Sequence, residues 1–231
     1  MSSTTTHLPT HTATFSQAVA RDSSRTLLGP VMGLVAVTVG FTALGAYLGR
    51  DLGGGAGLVL FIGALAGIFG LSIAVAKRHE QLAMGLLFGV GFLLGLSVAP
   101  VIADYASADP SALWEAAGAT AAFVGALGAY GYATRRDLSS WARSFFWALL
   151  GLIAFGIVSI FVSIPNGHVI YAGAGLVIFG AFTIFDFNRI RRTSGESPTL
   201  IAADIFLDVF NVFLFFVDLF VGPFGSAGER R

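Results

Sequence analysis

The sequence predicts an all-α integral membrane protein, a seven-transmembrane-helix bundle with its polar-striped seventh helix at the centre, and three observations predict it. Of 231 residues, 55% are hydrophobic and 11% charged, with a mean hydropathy of +0.81, whereas soluble domains carry about 25% charged residues. Lipid is the solvent this composition suits. Apolar runs, each near the roughly 20 residues needed to cross a hydrocarbon layer about 30 Å thick, follow one another with short polar connections. The last run also carries several acidic residues on one helical face, which lipid would not tolerate.

The runs, in order, are 29–48, 55–76, 82–103, 112–133, 142–163, 168–187 and 200–221. Arg50-Asp51, Lys77-Arg78-His79-Glu80, Asp104 to Pro110, Thr134 to Ser140, Pro165-Asn166-Gly167 and Asn188 to Thr199 connect them. Residues 1–25 are expected to be a flexible cytoplasmic N-terminal segment: they are Ser/Thr-rich through residue 20 and lack the basic start and apolar core of a secretory signal. Residues 26–222 form the membrane domain, and 223–231 a short C-terminal tail.

Basic residues set the orientation, because lysine and arginine tend to stay cytoplasmic. With the N-terminus inside, Arg21, Arg25, Lys77, Arg78, Arg135, Arg136, Arg143, Arg189, Arg191 and Arg192 are cytoplasmic, leaving Arg50, Arg230 and Arg231 outside of the 13 present. The expectation is an N-terminus inside and a C-terminus outside. Asp137, ahead of the fifth run, is expected to cap free backbone N–H groups. Glycine pairs at small-xxx-small spacing, Gly63 and Gly67, Gly85 and Gly89, Gly91 and Gly95, predict close helix packing within the bundle.

Several functions are excluded or weakened by composition alone. Formal charge is zero, so no net field draws nucleic acid. The chain has no cysteine, which removes thiol catalysis and thiolate metal sites. No cofactor is implied and no enzyme activity is expected. A retinal Schiff base would need a membrane lysine, and the one lysine, Lys77, lies in a connection. A rhomboid-like serine protease would need a base beside Ser97.

The informative residues are acidic. Asp186, Asp204, Asp208 and Asp218 fall inside the last two runs, where a carboxylate costs roughly 2.5–3.5 kcal/mol at mid-membrane. At 100° per residue, Asp204, Asp208, Asn211 and Asp218 share an arc of about 80°. That stripe places the seventh helix inside the bundle or against a hydrated cavity. Antiparallel sixth and seventh helices bring Asp186, Asp204 and Asp208 to similar depth, where carboxyls sharing a site share a proton. Such a pair is a proton-sensitive latch and, when deprotonated, an oxygen site for a hard cation such as calcium. The alternative for each is a structural one: hydrogen bonds to helix ends, or pairing with Arg189 or Arg192.

Taken in order, five segments give the chain a family resemblance. They are Ala43 to Gly49, Gly95 to Pro100, Thr134 to Ser139, Phe185-Asp186-Phe187, and Ala202 to Asn211. Over residues 25–221 the chain resembles the Bax inhibitor family, the transmembrane Bax inhibitor motif proteins, in its bacterial branch. The resemblance implies a seven-helix bundle with the last helix central, in a bacterial inner membrane. It implies a pH-sensitive calcium leak in which Asp186 and Asp208 share a proton that keeps the pore shut, with calcium or another cation as partner. Other bacterial members look like regulators of a membrane quality-control protease, a second functional expectation.

Two departures from the family pattern stand out. Members with calcium leak can latch these aspartates with an arginine on the second helix, and residues 55–76 carry none. Asp204 is an additional acid where a neutral residue is expected. An intramembrane aspartyl protease is a further alternative for two aspartates on adjacent helices, but Phe206-Leu207 stand before Asp208 where that family carries glycines.

Overall fold

A computed structural model of the chain describes residues 11–53, 55–193 and 195–221. Among them are seven α-helices: α1 (His11–Leu48), α2 (Ala56–Ala76), α3 (Glu80–Ala108), α4 (Pro110–Ala133), α5 (Ala142–Phe161), α6 (Gly167–Arg192) and α7 (Pro198–Val221). Each contains a stretch long and apolar enough to cross a membrane. The fold is the expected seven-helix membrane bundle. Helices are the natural solution there, because each satisfies its own backbone hydrogen bonds where no water can.

The ends follow local chemistry. Gly55 takes a left-handed φ of 81° immediately before α2, and Asn166 does the same at 55° before α6. Between α3 and α4 the chain turns in one residue. There the Asp109 carboxylate accepts from the backbone N–H groups of Ser111 at 2.9 Å and Ala112 at 3.2 Å, with Pro110 at the first helical position, where its missing N–H is no loss. Asp137 caps as expected, but its target is the 3-10 turn Ser139–Trp141 rather than α5. It accepts from the backbone N–H of Ser139 at 2.9 Å and from the Ser139 hydroxyl.

Two boundaries differ from the sequence expectation. Helix α1 reaches back to His11, so the backbone of residues 11–25 is helical where a flexible segment is expected. Extending an existing helix adds a hydrogen bond per residue without a new nucleus. Residues 1–10 and the expected tail 223–231 lie outside the described residues. Helix α6 continues five residues past Phe187, through Asn188 to Arg192. Hydropathy registers lipid contact, not helix, and three arginines in that last turn suit the negative end of the helix dipole.

Helix α7 is the centre of the bundle. In its most apolar window 56% of residues are buried, against 6% to 33% for the other six, and it packs against α1, α2, α3, α4 and α6. Its buried residues, among them Ile201, Ile205, Phe206, Val212 and Val217, cover roughly two thirds of the helix circumference, and the partly buried remainder carries Asp204, Asn211 and Asp218. At the other extreme, α5 packs chiefly on α6 and presents Trp147, Ile160 and Phe161 outward.

Glycines set the closest approaches. A Cβ on Gly95 would collide with the Thr42 backbone and one on Gly91 would sit 2.6 Å from Thr38 Cγ2, so α1 and α3 pack backbone to backbone. Gly67 similarly admits Val90, 2.7 Å from where its Cβ would be. Gly85 and Gly89 face open space, and the close packing expected of that pair is not made among the described residues. Gly131 of α4 lies against the Ile184 backbone of α6, a contact that fixes the depth of the α6 polar residues.

Candidate functional site

Helices α6 and α7 run antiparallel and side by side, and the end of α6 brings Asp186, Asn188, Arg189, Arg191 and Arg192 to one layer of the bundle. Asp186 is 5% exposed and Asp208, across on α7, 4%. They are the only buried carboxyls among the described residues, and their side chains are in contact. The Oδ2 oxygen of Asp208 is buried and has no hydrogen-bond partner among the described residues.

Asp204, one turn earlier on α7, has a different partner. Its carboxylate accepts from the Arg189 guanidinium at 2.8 Å, and the same guanidinium donates to Glu196 at 2.6 Å. Arg189 also stands 3.8 Å from Asp186 Oδ1, too long for a direct hydrogen bond. One arginine thus holds the extra acid and a connecting-loop glutamate while lying beside the buried pair. Of the two roles open to Asp204, the ion pair is the one formed.

The rest of this layer ties α6 to α4. The Asn188 amide donates to the carbonyls of Gly131 at 3.3 Å and Thr134 at 3.0 Å. Arg191 donates to the Ala133 carbonyl at 3.0 Å and the Thr134 carbonyl at 3.2 Å, satisfying acceptors left over at the C-terminus of α4. Arg192 pairs with Asp137 at 2.9 Å. On the α3 side, Ser197 donates to Glu80 at 2.9 Å. The connections are therefore closed over the Asp186 and Asp208 pair by hydrogen bonds from three directions.

The other stripe residues lie apart from this layer. Asn211 donates its amide hydrogen to the Leu207 carbonyl at 2.8 Å. Asn211 and Asp218 line a cavity between α5, α6 and α7 together with His168 and Tyr171 of α6. His168 is the residue that sequence reading missed. Its one signal is a polar side chain opening an otherwise apolar run.

No group of three or more His, Asp, Glu or Cys side chains able to hold a metal occurs among the described residues. Asp186 and Asp208 alone supply too few oxygens for the roughly six to eight that calcium takes. The two carboxyls suit a proton or a passing cation better than a resident ion.

The family described as "Inhibitor of apoptosis-promoting Bax1" matches residues 24–226. An uncharacterized protein of Helicobacter pylori is 30% identical over 157 residues, 68% of this chain and 67% of that one. The "Golgi anti-apoptotic protein" of vaccinia virus is 29% identical over 164 residues, covering 70% and 68%. The "Inner membrane protein YbhL" of Escherichia coli K12 is 24% identical over 176 residues, 74% of each chain.

Proposed function

Given that the chain belongs to the Bax inhibitor family, we propose that it is a pH-sensitive leak path for calcium or a similar cation, gated by a proton shared between Asp186 and Asp208. The observation that carries this reading is the contact of two buried carboxyls from different helices with one oxygen left without a partner. Two ionised carboxylates in such a place repel, and a buried polar atom without a partner is costly. A proton between them satisfies both demands and draws α6 and α7 together. Its loss leaves a repelling pair on the bundle's central helix, and the pore loosens.

Arg189 supports a closed resting state. The second helix has no arginine to latch the pair, yet a guanidinium lies beside Asp186 from the end of α6 itself, anchored by Asp204 and Glu196. Asp204 fits this reading as the anchor of Arg189 rather than as a member of the gate. A passive path of this kind requires no catalytic group. The likeness to the Escherichia coli inner membrane protein supports a bacterial inner membrane, and the basic-residue bias supports a cytoplasmic N-terminus and an external C-terminus.

Calcium entry into dye-loaded proteoliposomes at about pH 6 and pH 8 tests the reading. Wild-type flux is expected to rise with pH, and Asp186→Asn and Asp208→Asn, each checked for folding, are expected to lose that dependence. No flux from folded wild type at either pH would overturn the leak. It would turn the search to a membrane partner such as a quality-control protease.

A further inference from the structure

The cavity between α5, α6 and α7 belongs to none of the chemistry above. Its volume is about 750 Å³, within the 300–1,000 Å³ usual for ligand sites. Its rim includes Val162, Ser163 and Ile164 of the α5–α6 turn, so it lies at the end of the bundle opposite the arginine layer. Ile153, Ile157 and Ile160 give it an apolar wall on α5, while Asp218, His168 and Asn211 supply polar groups. No lysine or arginine is among its lining residues within the described part of the chain.

Three features give this space a direction. His168 Nε2 is buried and has no hydrogen-bond partner among the described residues, which for a native polar atom calls for water or a ligand. The Asn211 amide nitrogen is turned back onto α7 by its bond to the Leu207 carbonyl, leaving its side-chain oxygen as an acceptor. Asn211 is also three residues from Asp208, about 4.5 Å of helix rise. The cavity thus runs from the end of the bundle to within one helical turn of the orphaned Asp208 oxygen. Asp218 supplies a negative charge along the way.

We propose that this cavity is a water-filled vestibule selective for cations, in which Asp218 concentrates hydrated cations and Asn211 passes them toward Asp208. Charge in a cleft with low-dielectric walls raises the local concentration of counter-ions. Among the described lining residues His168 is the one basic side chain, set against the full carboxyl group of Asp218. The proposal rests on the reading of Asp186 and Asp208 as the gate only for where the ions go next; the hydration and charge of the vestibule stand without it.

The cysteine-free sequence makes single-cysteine labelling direct. Asn211→Cys, Leu214→Cys at a second lining position, and the outward Val177→Cys on α6, 74% exposed, would be reconstituted in liposomes with reagent on both faces. Each would be treated with a cationic and with an anionic membrane-impermeant methanethiosulfonate. The expected result is reaction at 211 and 214 but not at 177, with a cationic-to-anionic rate ratio about ten times that of a free thiol in solution. Adding Asp218→Asn should return that ratio toward the free-thiol value while leaving the sites reactive. If Asn211→Cys does not fold, Leu214→Cys carries the test.

Reaction of both cavity positions only with a membrane-permeant maleimide would show that lipid fills the space and would overturn the proposal, as would a cationic-to-anionic rate ratio no greater than that of a free thiol. Labelling needs no ion flux. Cation-selective labelling in a protein without calcium flux would sink the leak and leave the vestibule standing, whereas flux without labelling would do the reverse.

Discussion

At one end of α7, Asp204 is held at 2.8 Å by Arg189, and side chains from α6 cross to α4 and the preceding loop. At the other end, Asp218 shares a cavity of about 750 Å³ with His168 and has no basic side chain but that histidine among the described lining residues. The two residues are of one type, on one helix and on one face, yet they do different work. The first end is cross-linked by charge-assisted hydrogen bonds, which are stronger than neutral ones. The second is loosely walled because α5 packs chiefly on α6. An acidic stripe on a membrane helix is therefore not a single functional object: each carboxyl takes its role from what the neighbouring helices bring to its depth.

Glycine substitutions give the largest expected contrast between the ends. Gly131→Ala at the closed end drives a methyl into the Ile184 backbone, which cannot turn aside as a side chain can, and should cost about 1–3 kcal/mol or more. Gly156→Ala in the cavity wall meets the Tyr171 ring at 3.2 Å, which can shift into the cavity, and should change stability by less than about 0.5 kcal/mol. Thermal unfolding of both variants in detergent would measure this. Equal losses would mean the cavity wall is as tightly packed as the α4–α6 contact.

A charge removal should produce a smaller difference of the same sense. Arg189→Gln strips Asp204 and Glu196 of their partner and should destabilise the protein by roughly 1.5–3 kcal/mol, the range for hydrogen bonds to charged groups. Asp218→Asn removes a carboxylate that forms no ion pair among the described residues and should leave stability within about 0.5 kcal/mol of wild type. If Asp218→Asn proved the more damaging, the cavity would have to be read as a structural polar site.

The smallest effect concerns the surface of the closed end. Hydrogen bonds from Ser139, with Arg192 nearby, hold the Asp137 carboxyl below its ordinary value of 3.8. Its folded value lies below its unfolded one, so its contribution to stability is complete above the unfolded value and is lost as pH falls through the lower folded value. Carbon-detected NMR titration should find the Asp137 midpoint below the ordinary range. Arg192→Gln should raise it slightly, less than Ser139→Ala does, because the Ser139 hydrogen bond is the larger cause.

Much of this was legible along the chain. Every one of the seven apolar runs is a helix, and the acidic stripe identified the helix that sits centrally, since Asp208 can be carried through a bundle only where other helices cover it. Depth on antiparallel helices made Asp186, Asp204 and Asp208 legible as one group, and the family resemblance singled out Asp186 and Asp208 as the pair. The continuation of α6 to Arg192 was not, because the residues after Phe187 are polar and hydropathy has no signal for helix outside lipid. Nor was the cavity, because His168 acquires meaning only beside Asp218, 50 residues away.

The sequence by itself determined the class of the protein, the number of membrane helices and which helix must be shielded, because the cost of placing a residue in lipid is local and sums along a segment. Only the tertiary structure decided that Arg189 goes to Asp204, that Asp186 and Asp208 touch, and that Asp218 borders a cavity. Those outcomes depend on the rotation and depth of one helix against another. Backbone contacts such as Gly131 on Ile184 set these, and no single segment contains both partners.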